Sequence, residues 1–94
     1  MPSRKSYRTH KAGSFSRLKL VEEELQNPQD HEVQVQVKAV GLNFADVFAI
    51  LGLYSATPEG SFIPGLEYSG EILAVGKDVQ DFHVGDRVMG VTRF

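Results

Sequence analysis

Residues 40–70 read V-G-L-N-F-A-D-V-F-A-I-L-G-L-Y-S-A-T-P-E-G-S-F-I-P-G-L-E-Y-S-G. Val40 ends a strand-like run and Gly41 breaks it. Asn43 then offers the short polar side chain of a helix N-cap, and Asp46, three positions on, answers it in a weak, acidic version of the capping box. Phe44, Val47, Phe48 and Leu51 recur at i, i+3, i+4 and i+7, the stripe of a helix that buries one face. Gly52 stands where a C′ glycine stops such a helix, which places it over about Phe44 to Leu51. Leu53 to Pro64 carries Pro58, Gly60 and Pro64 and reads as irregular, before the chain re-enters a strand through Pro64-Gly65-Leu66-Glu67. Two places are chemically pointed: the Asn43/Asp46 pair, and the Tyr54-to-Glu67 loop, which could fold back over the helix.

Working outward, the flanks read as a β scaffold. Val33, Val35 and Val37 alternate strictly with Gln34, Gln36 and Lys38, valines to a core and amides to water. Asn27-Pro28-Gln29-Asp30 is a turn signal before that strand. Phe15 to Glu24 suits a half-buried strand through Leu18 and Leu20, running into a Glu22-Glu23-Glu24 surface expected to be solvated. Ser6 to Lys11 reads as a short edge strand with Tyr7 as its anchor, and Met1 to Lys5 as loose. Downstream, Tyr68 to Val75 is a strand with Ile72 and Leu73 inside. Gly76-Lys77-Asp78 is a hairpin turn, and Gly85-Asp86 makes a tight turn into the strand Arg87 to Val91. Five or six strands around one short helix make a mostly β, mostly antiparallel, barrel-like domain.

Composition bounds the function. Ninety-four residues, 41% hydrophobic and 23% charged, suffice for one small globular domain. A net charge of −2 provides no broad basic field for nucleic acid or anionic membrane. No apolar run approaches the roughly 20 residues that span a bilayer, and no signal-peptide core is present, so a cytoplasmic protein is expected. Without cysteine there is neither a thiol nucleophile nor a Cys-ligated zinc. His10, His31 and His83 are scattered without ligand spacing and read as surface residues.

Three segments in register, G-L-N-F-A-D-V-F-A-I-L-G-L-Y, I-P-G-L-E-Y-S-G-E-I-L-A-V-G-K-D-V and F-H-V-G-D-R-V-M-G, resemble the medium-chain dehydrogenase/reductase superfamily. They are most similar to its zinc-independent quinone oxidoreductase branch, with the synaptic-vesicle membrane protein relatives and polyketide enoyl reductases. The match runs from about Val33 to Gly90. The resemblance implies that residues 1–94 are an incomplete GroES-like domain, a partly open β-barrel with one short helix. This would be the catalytic-domain portion of a two-domain reductase whose NADPH-binding Rossmann domain lies outside this chain. Zinc-dependent members carry a cysteine ligand at the position of Asn43 and a histidine at that of Leu66, so no metal is expected; an amide and a leucine cannot replace thiolate and imidazole.

By the same resemblance, Asn43 and Phe44 would approach the nicotinamide, and Asn43 and Tyr54 would serve as the catalytic pair facing a quinone, enone or enoyl thioester. Asp46, Gly65, Glu67, Gly85 and Asp86 would be structural motif positions. Plainer roles stand beside these. Asn43 could be only a cap, Tyr54 a loop anchor, Asp46 a cap or a partner of an arginine such as Arg87, and Phe44 core. No Gly-rich strand-to-helix turn is present to hold a pyrophosphate, so the chain is expected to bring half of an active site. A non-catalytic scaffold of the same fold is the alternative. Strands left without later partners lead to an expectation of self-association, with homo-oligomers among the partners. The reading predicts a native gene product several times the mass of 94 residues, continuing past Phe94 into an A-x-G-G-V-G-type turn. Intact mass from the source cells checks this, and a 94-residue product would defeat it.

Overall fold

The computed structural model describes Ser3–Phe94 and contains, in order, β1 (Ser3–Thr9), a 3-10 turn (Phe15–Arg17), β2 (Leu18–Glu24), β3 (Val33–Gly41), α1 (Phe44–Leu51), β4 (Glu67–Val75) and β5 (Arg87–Val91). Strands dominate and both sheets are open: β1-β2 forms one, and β3-β4-β5 the other. The chain divides into two compact units. One combines the residues up to Leu25 with Gly41–Leu66 and Thr92–Phe94; the other combines Gln26–Val40 with Glu67–Val91.

In the first unit β1 and β2 pair antiparallel from Ser3 opposite Glu24 to Thr9 opposite Leu18. Lys5 and the residues before it, back to Ser3, are therefore strand and not loose; the expectation for Met1 and Pro2 lies outside the described residues. Register explains the difference, because it sets cross-strand partners along the whole basic segment. Arg4 faces Glu23 and bonds it at 3.0 Å, Arg8 Nε reaches the same carboxylate at 2.7 Å, and the Ser3 hydroxyl donates to Glu22 at 2.7 Å. The Glu22–Glu24 run is thus in part paired. The guanidinium of Arg8, then that of Arg4, holds the Glu23 carboxyl below its ordinary range. Tyr7 faces Leu20, and both are exposed, so Tyr7 anchors nothing within the described chain.

Helix α1 occupies the expected residues, and Gly52 ends it in the left-handed conformation at φ 80°, its N–H returning to the Ala49 carbonyl at 3.0 Å. Its rotation differs from the expected one. The buried residues are Asp46, Ala49 and Ile50, whereas the predicted core stripe is largely open: Phe44 is 80% exposed, and Val47 and Phe48 are also exposed. Phe62 and Thr9 are buried in the same unit. Thr9 and Phe62 exchange both backbone hydrogen bonds (3.1 and 3.0 Å), and the Gly13 N–H donates to the Ile50 carbonyl at 2.8 Å. The loop after α1 is therefore stitched to β1, and the β1–β2 connection to the end of the helix.

In the second unit β4 is central. It pairs antiparallel with β5, Glu67 opposite Val91 through Glu71 opposite Arg87. Ile72 is 1% exposed and forms the core here; Leu73, expected inside beside it, is 45% exposed, because successive strand residues face opposite sides. Val37, expected in the core, is also exposed. Gly76 does begin a turn, with the Val79 N–H returning to its carbonyl at 3.1 Å. The turn is docked as well as tight. The Gly76 N–H donates to the Glu32 carbonyl at 2.7 Å and the Asp78 N–H to the Asp30 carbonyl at 2.8 Å. A Cβ on Gly76 would run into the Gln29 and Asp30 carbonyl oxygens, which are backbone and cannot swing away. Gly76→Ala is therefore expected to lower unfolding free energy by about 1–3 kcal/mol. Gly60→Ala, which meets nothing within 4 Å, should stay within about 0.5 kcal/mol of the parent protein. Urea unfolding of both variants checks the contrast.

Candidate functional site

The amino end of α1 owes its shape to one carboxylate. Asn43 is extended (φ −132°, ψ 163°) and precedes the first helical residue, so the orphan N–H groups of the first turn need acceptors. Asp46 supplies the arm of the capping box that closes to a hydrogen bond: its Oδ2 accepts from the Asn43 N–H at 2.7 Å. Its Oδ1 accepts from the Gly65 N–H at 2.9 Å, nineteen positions along the chain. The residue is 4% exposed and takes part in no salt bridge among the described residues. An ionised carboxylate accepting two backbone donors satisfies the demand that buried charge be hydrogen-bonded. The Asn43 side chain takes the reciprocal place in the capping box, toward the Asp46 N–H, and the residue is exposed.

Asn43 and Phe44 line one open groove of about 390 Å³ together with Leu42 and Val47. Its walls are mostly apolar, and Leu42 is 78% exposed. A flat ring with one polar substituent suits such a surface: apolar faces for the ring, and an amide that can both donate and accept for the substituent.

Tyr54 stands in a different cluster, not among the groove-lining residues. It is 37% exposed and meets the Phe94 ring edge-on at 5.9 Å and 88°, while Phe94 also meets Phe62 at 5.9 Å. Its carbonyl accepts from the Thr57 N–H at 2.9 Å in the turn that follows. The Thr92 N–H donates to the Leu66 carbonyl at 2.6 Å, so the segment ending in Phe94 lies against the end of the same loop.

The structure therefore brings Asn43, Phe44, Asp46 and Gly65 to one place. The other expected positions lie elsewhere. Glu67 opens β4 opposite Val91 with an exposed side chain, and Gly85-Asp86 forms the turn into β5, where Asp86 accepts from the His83 N–H at 2.9 Å. Sequence reasoning missed Leu42 and Phe94. Leu42 had no periodic signal, sitting between strand and helix; Phe94 follows Arg93 at the end of a strand-like run and reads as ordinary core. Among the described residues no group of three or more His, Asp or Glu side chains could hold a metal ion.

Comparison with known proteins matches residues 29–93 to the alcohol dehydrogenase GroES-like domain model. The chain is 40% identical over 90 residues, 94% of its length, to a quinone oxidoreductase-like protein 2 homolog of Nematostella vectensis. Over 91 residues it is also 40% identical to quinone oxidoreductase-like protein 2 of Bos taurus. It spans about a quarter of each, covering 25% and 26% of their lengths. Among solved structures, the human synaptic vesicle membrane protein VAT-1 homolog-like protein superposes with a TM-score of 0.87 at 33% identity, over 96% of this chain and 29% of that one. Escherichia coli quinone oxidoreductase, solved with NADPH, superposes at 0.80 and 35% identity, over 94% of this chain and 26% of that one. The chain belongs to the alcohol dehydrogenase GroES-like domain family, and the relatives it resembles include quinone oxidoreductase-like proteins.

Proposed function

We propose that this chain is the N-terminal catalytic-domain portion of a zinc-independent, NADPH-dependent reductase that acts on quinones or on activated enones and enoyl thioesters. The observation that carries the reading is the groove at the amino end of α1. It sets the exposed Asn43 amide between exposed Leu42 and Phe44 on a helix end held by a buried carboxylate.

The residues present fit one end of the dinucleotide and not the other. Nicotinamide, flat with a single carboxamide, matches the groove's apolar walls and its amide. Among the described residues the glycine turn at Gly76 offers a pyrophosphate no seat, because its N–H is spent on the Glu32 carbonyl and it faces carbonyl oxygens, not donors. That half belongs to a Rossmann domain outside this chain. When bound, the cofactor supplies hydride, the difficult part of the chemistry.

What remains for these residues is position, exclusion of water and hydrogen bonding. Phe44 and Leu42 cover a face from which water must be displaced, and the Asn43 amide holds a polar substituent in one orientation. Tyr54 donates its phenolic hydrogen to an acceptor carbonyl, whose oxygen gains charge as reduction proceeds, and Phe94 holds the ring from its far side. An acceptor already activated by conjugation needs a donor of this kind and not a Lewis acid. Residues Asn43 and Leu66, standing at the positions of zinc ligands in metal-dependent relatives, are the reason for reading the site as metal-free. No helix of the described residues is long and apolar enough to cross a membrane.

The alternative is a non-catalytic scaffold of the same fold, for which the exposed Phe44/Val47/Phe48 face of α1 would be a binding surface. NADPH oxidation by the full-length protein separates the two. Turnover is expected with quinones or enoyl thioesters and should survive a metal chelator. Asn43→Ala should lower kcat/KM by about tenfold or more, as loss of a positioned polar group does. Tyr54→Phe should lower it by roughly 2- to 12-fold, the worth of one neutral hydrogen bond. Absence of turnover with every acceptor leaves the scaffold reading.

A further inference from the structure

We propose that Asp46 is a positioning residue for acceptor binding, because its single carboxylate ties the closing end of the Leu53–Leu66 loop to the helix end that presents Asn43 and Phe44. The inference deepens the reductase reading and rests on it.

Three observations converge. Asp46 is buried at 4% exposure and divides its two oxygens between the Asn43 N–H (2.7 Å) and the Gly65 N–H (2.9 Å). One oxygen thus holds the groove residue and the other holds the loop. Gly65 adopts φ 113°, a conformation that side-chain-bearing residues rarely take, although nothing lies within 4 Å of where its Cβ would be. The glycine is needed there for backbone direction and not for space, and that direction is what aims its N–H at Asp46. The next residue is held from another side, since the Thr92 N–H donates to the Leu66 carbonyl at 2.6 Å. A loop clamped at Gly65-Leu66 carries Tyr54 near its start and Phe62 near its end, both tied by the Phe94 ring.

Loss of the carboxylate would free the loop end from the helix without touching an acceptor or a cofactor. Asn43 and Tyr54 would remain, but their spacing would no longer be held, and a small misplacement is paid in acceptor affinity first. A residue that served only to keep the domain folded would lower the amount of active protein and leave KM alone.

The test uses the full-length protein with Asp46→Asn, Gly65→Ala, the double variant, and Gly60→Ala as a control in the same loop. Asp46→Asn and Gly65→Ala are each expected to raise KM for the acceptor by about tenfold with kcat within about threefold; KM for NADPH should rise in Asp46→Asn, which also frees Asn43, and stay at the parental value in Gly65→Ala, which leaves the Asn43 bond in place. The double variant should cost less than the sum of the two single ones, because both changes disturb the shared bond between Gly65 and Asp46. In hydrogen exchange, the Gly65 and Asn43 amides should exchange about tenfold faster in Asp46→Asn, while β4 amides keep their protection. If Asp46→Asn does not fold, Gly65→Ala decides. Folded variants with parental acceptor KM and parental exchange would overturn the proposal, as would additive costs in the double variant. If the parent protein reduces no acceptor, the reductase reading fails by itself. Exchange then decides the tether: faster exchange confined to Gly65 and Asn43 upholds it, and unchanged exchange overturns it.

Discussion

A buried carboxylate must find donors or give up its charge, and Asp46 finds two in the backbone. That requirement turns the helix. With Asp46 facing inward, its neighbours one turn on, Ala49 and Ile50, are inward too, and Phe44, Val47 and Phe48 are carried outward. A helix rotated to bury its aromatic stripe would have left a charge in solvent and the Gly65 N–H without this acceptor. The observed rotation gives two backbone donors, the Asn43 and Gly65 N–H groups, a carboxylate acceptor, and it leaves the apolar stripe open to be covered by something else.

The same choice shapes the site. Exposed Leu42 and Phe44 beside an exposed amide are what a packed small domain would avoid, and what a binding surface needs. The cost is met locally by backbone pairing. Thr9 and Phe62 exchange both hydrogen bonds, Gly13 bonds the carbonyl of Ile50, and Thr92 bonds that of Leu66. The loop from Leu53 to Leu66 has no regular structure, yet contacts at its far end and in its middle leave it few free backbone groups at those points. It is a held loop of the kind that carries function on a rigid support.

Much of the fold was legible because the signals are local. Both ends of α1 follow from Asn43, Asp46 and Gly52 within a few residues, and β3, β4 and β5 follow from alternation bounded by glycine turns. Asn43 and Phe44 could be placed together by adjacency alone. The partnership of Asp46 with Gly65 could not, because it spans nineteen positions and leaves no periodic trace. Nor could the pairing of Tyr54 with Phe94, forty positions apart, which depends on where the chain returns after β5. The β1 strand was read as Ser6 to Lys11, displaced from its true span of Ser3–Thr9, and its start was missed for a similar reason: Arg4 and Lys5 look like tail residues until Glu22 and Glu23 are set opposite them.

By itself the sequence determined the element types, the stops between them, the lack of thiol chemistry and the residues at the head of the helix. These depend on backbone propensity, capping and composition, which act over a few residues at a time. Tertiary structure alone decided which face of α1 is buried, which carbonyls the Gly76 turn rests against, and which side chains share the groove. Those outcomes depend on hydrogen bonds between segments far apart in the chain, where one buried charge outweighs the local preference of several apolar residues.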